Sequence, residues 1–156
     1  MFIAHLPAGY LLSRWRHFTP RQIPWVIAGA IAPDLDMGLF YLVHDGTVHH
    51  HLYLPHRPFV WVLVLILGLL LRRWPMSSAL RALGCGGLLH MLLDTVVGQI
   101  AWGWPFTPHA VPLVDVPATQ DWWVLSFVLH WTFVVELLIC AVAICVWLRS
   151  RREKHP

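Results

Sequence analysis

Residues 59–71 read Phe-Val-Trp-Val-Leu-Val-Leu-Ile-Leu-Gly-Leu-Leu-Leu and are followed at once by Arg72 and Arg73. No charge interrupts the run, so a helix built from it has no polar face. A helix that is apolar all round belongs in a protein core or in lipid. The rest of the chain decides between the two. Hydrophobic residues make up 58 % of the 156 residues and charged residues 12 %. A soluble domain carries about 25 % charged residues, and a small one has too much surface per volume to hide so much apolar area. The same numbers exclude disorder. Three Cys without a pairing pattern exclude a disulfide scaffold. The expectation is one all-α domain over 1–156, an integral membrane helical bundle of four to five transmembrane or half-spanning helices.

Working outward, the other apolar runs fall at 2–13, 23–43, 79–100 and 122–148, with the quoted run extending over 59–74. The first is short for a crossing. Its basic residues follow it, whereas those of a cleavable leader come first. Ten Trp suit a lipid–water interface. Arg14, Arg16 and Arg21, then Arg72, Arg73 and Arg81, then Arg149, Arg151, Arg152 and Lys154 punctuate the runs. Such clusters mark the cytoplasmic side. A net charge of +3 arranged this way is a topology signal, and no nucleic-acid partner is expected. The His-rich loop 44–58 and the loop 102–121 are then expected on the outer side. This gives a multi-pass membrane protein, with lipid as its surroundings and its polar residues toward the outer side.

Ionisable residues inside apolar runs are expensive and are functional candidates. Asp34 lies thirteen residues beyond Arg21, roughly 20 Å up at the helical rise. His90 and Asp94 lie nine and thirteen residues beyond Arg81, at roughly 14 and 20 Å. His5, nine residues before Arg14, reaches a similar height. His49, His50, His51 and His56 sit in the outer loop. Four segments thus deliver His or Asp to one depth, which points to one shared site. His90-x-x-x-Asp94 places both side chains on one helical face. It can serve as a ligand pair or as polar glue between helices. Asp34 and Asp36 follow a Pro33 break, where the two carboxylates can converge from a distorted turn or one of them can be a helix cap. Imidazole and carboxylate together suit Zn, Mn or Fe. Asp34 and Asp36 are candidates to bridge ions or act as general base, and Arg57 to hold a phosphate oxygen. His17, His109 and His155 are assigned no role. His130 is expected high enough in the last run to reach the site. Glu136, six residues on, reads as an interhelical hydrogen-bond partner before it reads as the support of a ligand His. Cys85, Cys140 and Cys145 read as small buried hydrophobes.

The ordered set is His5-Leu-Pro-Ala-Gly9, Ala32-Pro33-Asp34-Leu35-Asp36, His50-His51-Leu-Tyr-Leu-Pro-His56-Arg-Pro-Phe-Val-Trp61 and His90-x-x-x-Asp94-x-x-x-Gly98, with Trp104-Pro105-Phe106. It resembles the YdjM-type inner-membrane metal-dependent hydrolases of bacteria over about residues 1–106. Their metal-site logic is similar to that of zinc-dependent phospholipases C. The resemblance implies metal ligands at His5, Asp34, His51, His56, His90 and Asp94, with Asp36 as the second carboxylate of Pro-Asp-x-Asp. The chain departs at Pro55, where many relatives have Thr, and its last run lacks a His-x-x-x-Glu pair. Two ions, most simply Zn, are therefore the expectation rather than three.

Three functions fit these residues. The first is metal-dependent hydrolysis of a phosphate ester or phospholipid near the outer face. The second is metal binding or transport without hydrolysis. The third is helix packing alone, which five converging ionisable positions argue against.

Overall fold

The computed structural model describes residues 1, 3–15, 18–43, 50–110 and 112–153. His17, His44, His49 and His155, all weighed above, lie outside them. Among the described residues the chain is helical and has no strand. Helix α1 covers His5–Trp15, and α2 covers Ile23–Ile31. A 3₁₀ turn at Ala32–Asp36 leads into α3, Met37–Leu42. Two further 3₁₀ turns, His50–Leu52 and Leu54–His56, precede α4 at Pro58–Leu70. Then come α5, Ser77–Asp94, α6, Trp123–Val128, and α7, Thr132–Arg152.

Two helical stretches, Ile23–Leu42 and Thr132–Arg152, are long and apolar enough to cross a membrane. The sequence expectation of four to five spans is thus met only in part. Helix α4 has 13 residues, about 20 Å against a hydrocarbon thickness of about 30 Å. Helix α1 is shorter still, at 11 residues. The run 122–148 is not one helix. It breaks at 129–131, where the His130 ring pairs with Thr132 through its Nδ1, 2.9 Å from the hydroxyl and 3.4 Å from the backbone N–H. His130 is therefore spent at the start of α7 and does not reach the site expected for it.

The helices pack through glycine. A Cβ at Gly29 would lie 2.1 Å from the Leu83 carbonyl oxygen, and one at Gly86 would lie 2.1 Å from that of Val26. So α2 and α5 touch backbone to backbone, the close approach that small residues permit between membrane helices. Gly68 and Gly84 do the same for the α4–α5 hairpin, and Ser77 Oγ donates to the Gly68 carbonyl at 2.9 Å. The Trp61 ring lies over Gly87 and packs with Met91 and Ile100 in a small buried core. The outward faces of α4 and α7 remain exposed and apolar, with Leu63, Ile66 and Leu70 on one and Leu138, Val142 and Ile144 on the other.

Gly29→Ala and Gly86→Ala should each lower stability by about 1–3 kcal/mol, the usual cost of overpacking. Gly38→Ala, whose Cβ meets nothing within 4 Å, should be neutral or slightly stabilising because it sits in a helix. Thermal unfolding of the detergent-purified variants checks both, and equal losses at all three positions would contradict the close crossing.

Candidate metal centre

Pro33 decides the first part of the site. It has no N–H to continue the α2 ladder, and the chain tightens into the 3₁₀ turn Ala32–Asp36. Residues three apart eclipse in such a turn. Pro33 and Asp36 accordingly share the buried side, while the Asp34 side chain keeps 33 % of its surface exposed. The second part comes from α5, where His90 and Asp94 stack one turn apart with Nε2 and Oδ2 at 3.0 Å. The third is the 3₁₀ pair after residue 49. Trp61 Nε1 donates to the Pro55 carbonyl at 2.8 Å, which fastens the turn carrying His56 to the base of α4. Gly98 leaves room for the His51 ring, since a Cβ there would lie 2.4 Å from its Cε1.

These elements bring Asp34, His56, His90 and Asp94 together. One donor atom from each lies within 4.8 Å of the others, and His56, His90 and Asp94 are buried. The group can hold a metal ion. His90 Nε2 is 3.6 Å from Asp34 Oδ1, and His56 Nε2 is 3.8 Å from it and 3.5 Å from Asp94 Oδ2. Several of these spacings are too long for hydrogen bonds. They match the separation of roughly 3.4 Å between ligand atoms that surround one tetrahedral ion at about 2.1 Å. His90 Nε2 in particular is buried and has no hydrogen bond. Its other ring nitrogen, Nδ1, is tied to the Ala30 carbonyl at 2.8 Å. That bond puts the proton on Nδ1 and leaves Nε2 as a lone pair aimed into the cluster.

His5 and His51 border the same group. His5 Nδ1 is 3.2 Å from Asp34 Oδ2, and its Nε2 is 3.1 Å from Asp94 Oδ1. The His5 ring stacks on His90 with centroids 3.8 Å apart. His51 Nε2 lies 3.7 Å from Asp94 Oδ2. Both carboxylates therefore turn one oxygen toward His5 and the other toward the His56–His90 pair. The Met1 amino group also contacts Asp94 Oδ1. The sequence-expected set of His5, Asp34, His51, His56, His90 and Asp94 thus meets in one place.

Two expected positions differ. Asp36 stands behind His56, with Oδ2 2.6 Å from Nδ1, and lies outside the four-donor group. The 3₁₀ turn rotates it away from Asp34, so it orients the ligand instead of joining it. Arg57 donates to the Leu52 carbonyl at 2.9 Å and lies over the Trp104 ring, with no described contact to the cluster. Sequence reasoning missed the Ala30 carbonyl, because a backbone acceptor carries no residue signature. It did not find the partner of Glu136 either: this buried side chain accepts the N–H groups of Ile3 and Ala4.

Comparison with known protein families, curated proteins and solved structures found no match.

Burial opposes the charged form of His56, but its hydrogen bond to Asp36 and the close carboxylates of Asp36 and Asp94 outweigh it and raise the pKa from 6.5 to about 9. A cation on Nε2 must displace that proton. Metal affinity should therefore rise about tenfold per pH unit below about pH 9 and level off above it. Competition against a chelator of known affinity, repeated across that range, measures the slope, and a flat profile would show that His56 is not a ligand. Asp36→Asn should weaken affinity about 10–100-fold by loosening His56.

Proposed function

We propose that this chain is a membrane-embedded, metal-dependent hydrolase of phosphodiesters, with a lipid or another phosphate ester as substrate. The observation that carries the reading is the four-donor group of Asp34, His56, His90 and Asp94. The order of motifs, which resembles the YdjM-type hydrolases, supports it further. In this reading the chain forms four to five spanning or half-spanning helices in a bacterial inner membrane. The bare apolar faces of α4 and α7 meet lipid. The Arg clusters mark the cytoplasmic side, and the site opens outward.

Asp34, His56, His90 and Asp94 would hold a first ion; His5, facing the other oxygen of each carboxylate, and His51, beside Asp94 Oδ2, are the donors left for a second. Zn suits this mix of imidazole and carboxylate, as do Mn and Fe. Such ions, when bound, polarise a phosphoryl oxygen and acidify water for attack on phosphorus. The chain's own residues do the rest. Asp34 is the exposed member of the group, so substrate and water enter on its side. Its carboxylate is placed there to accept a proton from the entering water. Asp36 fixes the His56 ring, and the Ala30 carbonyl fixes that of His90. Arg57 is close enough in sequence to His56 to bind a phosphate oxygen once it exchanges the Leu52 carbonyl for it.

Metal content of the purified protein, measured together with hydrolysis of a chromogenic phosphodiester, tests the reading. Asp94→Asn should abolish both while the protein stays folded in the membrane. Asn keeps the shape but loses the charge that offsets a dication in a low dielectric. The loss should exceed the roughly 10–100-fold typical of changes behind a ligand. If Asp94 only joined helices, Asn would still bond across the interface, and full occupancy in the variant would remove the assignment. Tight binding without hydrolysis in the wild type would favour metal storage or transport.

A further inference from the structure

Glu136 supplies no donor to the centre, yet among the described residues it is the most deeply buried acid outside it, with 0 % exposure. It sits on α7 among Val134, Leu137 and Leu138, which are all exposed. A carboxylate in such a place needs strong partners. It finds them in the backbone at the start of the chain, where Oε2 accepts the N–H of Ile3 at 2.5 Å and that of Ala4 at 3.0 Å. Ala4 is the residue just before α1, and its carbonyl accepts the N–H of Ala8 at 2.8 Å as the first bond of the helix. N–H groups at a helix start have no partner within the helix, and a negative charge there also suits the helix dipole.

The next residue is His5. Its ring lies 3.2 Å from Asp34 and 3.1 Å from Asp94, with 3 % of the residue exposed. One further anchor of α1 is Gly9 against Ala30, a turn beyond His5. It sets the distance between α1 and α2, and the Met1 amino group meets Asp94, but neither takes up the N–H groups at the start of the helix. We propose that Glu136 is the positioning residue that holds His5 in the centre, by clamping the backbone at Ile3 and Ala4 onto α7. This rests on the metal-centre reading above. It gives α7 a part in the site although the helix supplies no member of the four-donor group.

Zinc affinity and His5 reactivity, measured on the full-length protein in detergent, test the clamp. Glu136→Ala should weaken zinc binding about 10–100-fold, as expected for loss of a support behind a ligand. Glu136→Gln, which keeps an acceptor oxygen, should restore most of it. In a His5→Ala background, Glu136→Ala should add nothing, because residues acting through one another are not additive. In metal-free protein, carbethoxylation of His5, read by mass spectrometry, should run at least about tenfold faster in Glu136→Ala, as expected if the first turn opens locally. Should the alanine variant not fold, Glu136→Asp, which withdraws the charge by one methylene, carries the same comparisons. Wild-type affinity together with wild-type His5 reactivity in the variant would overturn the clamp. So would a double variant weaker than His5→Ala alone, which would mark Glu136 as general support of the bundle. A wild-type protein that binds none of Zn, Mn and Fe would overturn the hydrolase reading instead, and His5 reactivity would still decide the clamp.

Discussion

The crossing of α2 and α5 at Gly29 and Gly86 is the constraint from which the site follows. With no side chain between them, the two backbones come close enough for the Ala30 carbonyl to meet the His90 ring. Pro33 interrupts α2 four residues past Gly29, so the 3₁₀ turn unfolds over the end of α5 and sets Asp34 beside His90 and Asp94. A methyl group at either glycine would push the helices apart and move every one of these contacts together. Cores transmit such strain because they are close-packed.

The imidazoles are placed by what lies behind them. His90 has the Ala30 carbonyl, His56 has Asp36, and His51 has the wall left by Gly98. Two buried aspartates and the half-buried Asp34 gather around four imidazoles. In a low dielectric, such a group is costly unless positive charge joins it. His56, with its pKa raised to about 9, supplies some of that charge, and a dication would supply more.

Much of this was legible in the sequence, for identifiable reasons. His90 and Asp94 are tied by helical spacing, so their pairing needed no tertiary information. The depth of Asp34 and His5 could be counted from basic residues, because a helix has a fixed rise. Asp36 was misplaced because a 3₁₀ turn rotates residues differently from an α-helix, and its partner His56 lies 20 residues away. The break at 129–131 was invisible because Trp, Leu and His there keep the run apolar, while the stop comes from a local bond between His130 and Thr132. Arg57 rests away from the cluster because the loop turns it back on the Leu52 carbonyl. Helix α4 proved too short to span, since Pro58 and the Leu71 turn bound it regardless of composition.

The bond from Glu136 to Ile3 joins residues 133 apart. Synthesis runs from the amino end, so α1 is made long before Glu136 exists. Asp34, His56, His90 and Asp94 are all made before residue 95, and the α4–α5 hairpin between them is local. Contacts of such long range form late, after the loop between them has been closed. The centre is therefore assembled in order of birth, with its four-donor half first and His5 locked in only after α7 has been translated.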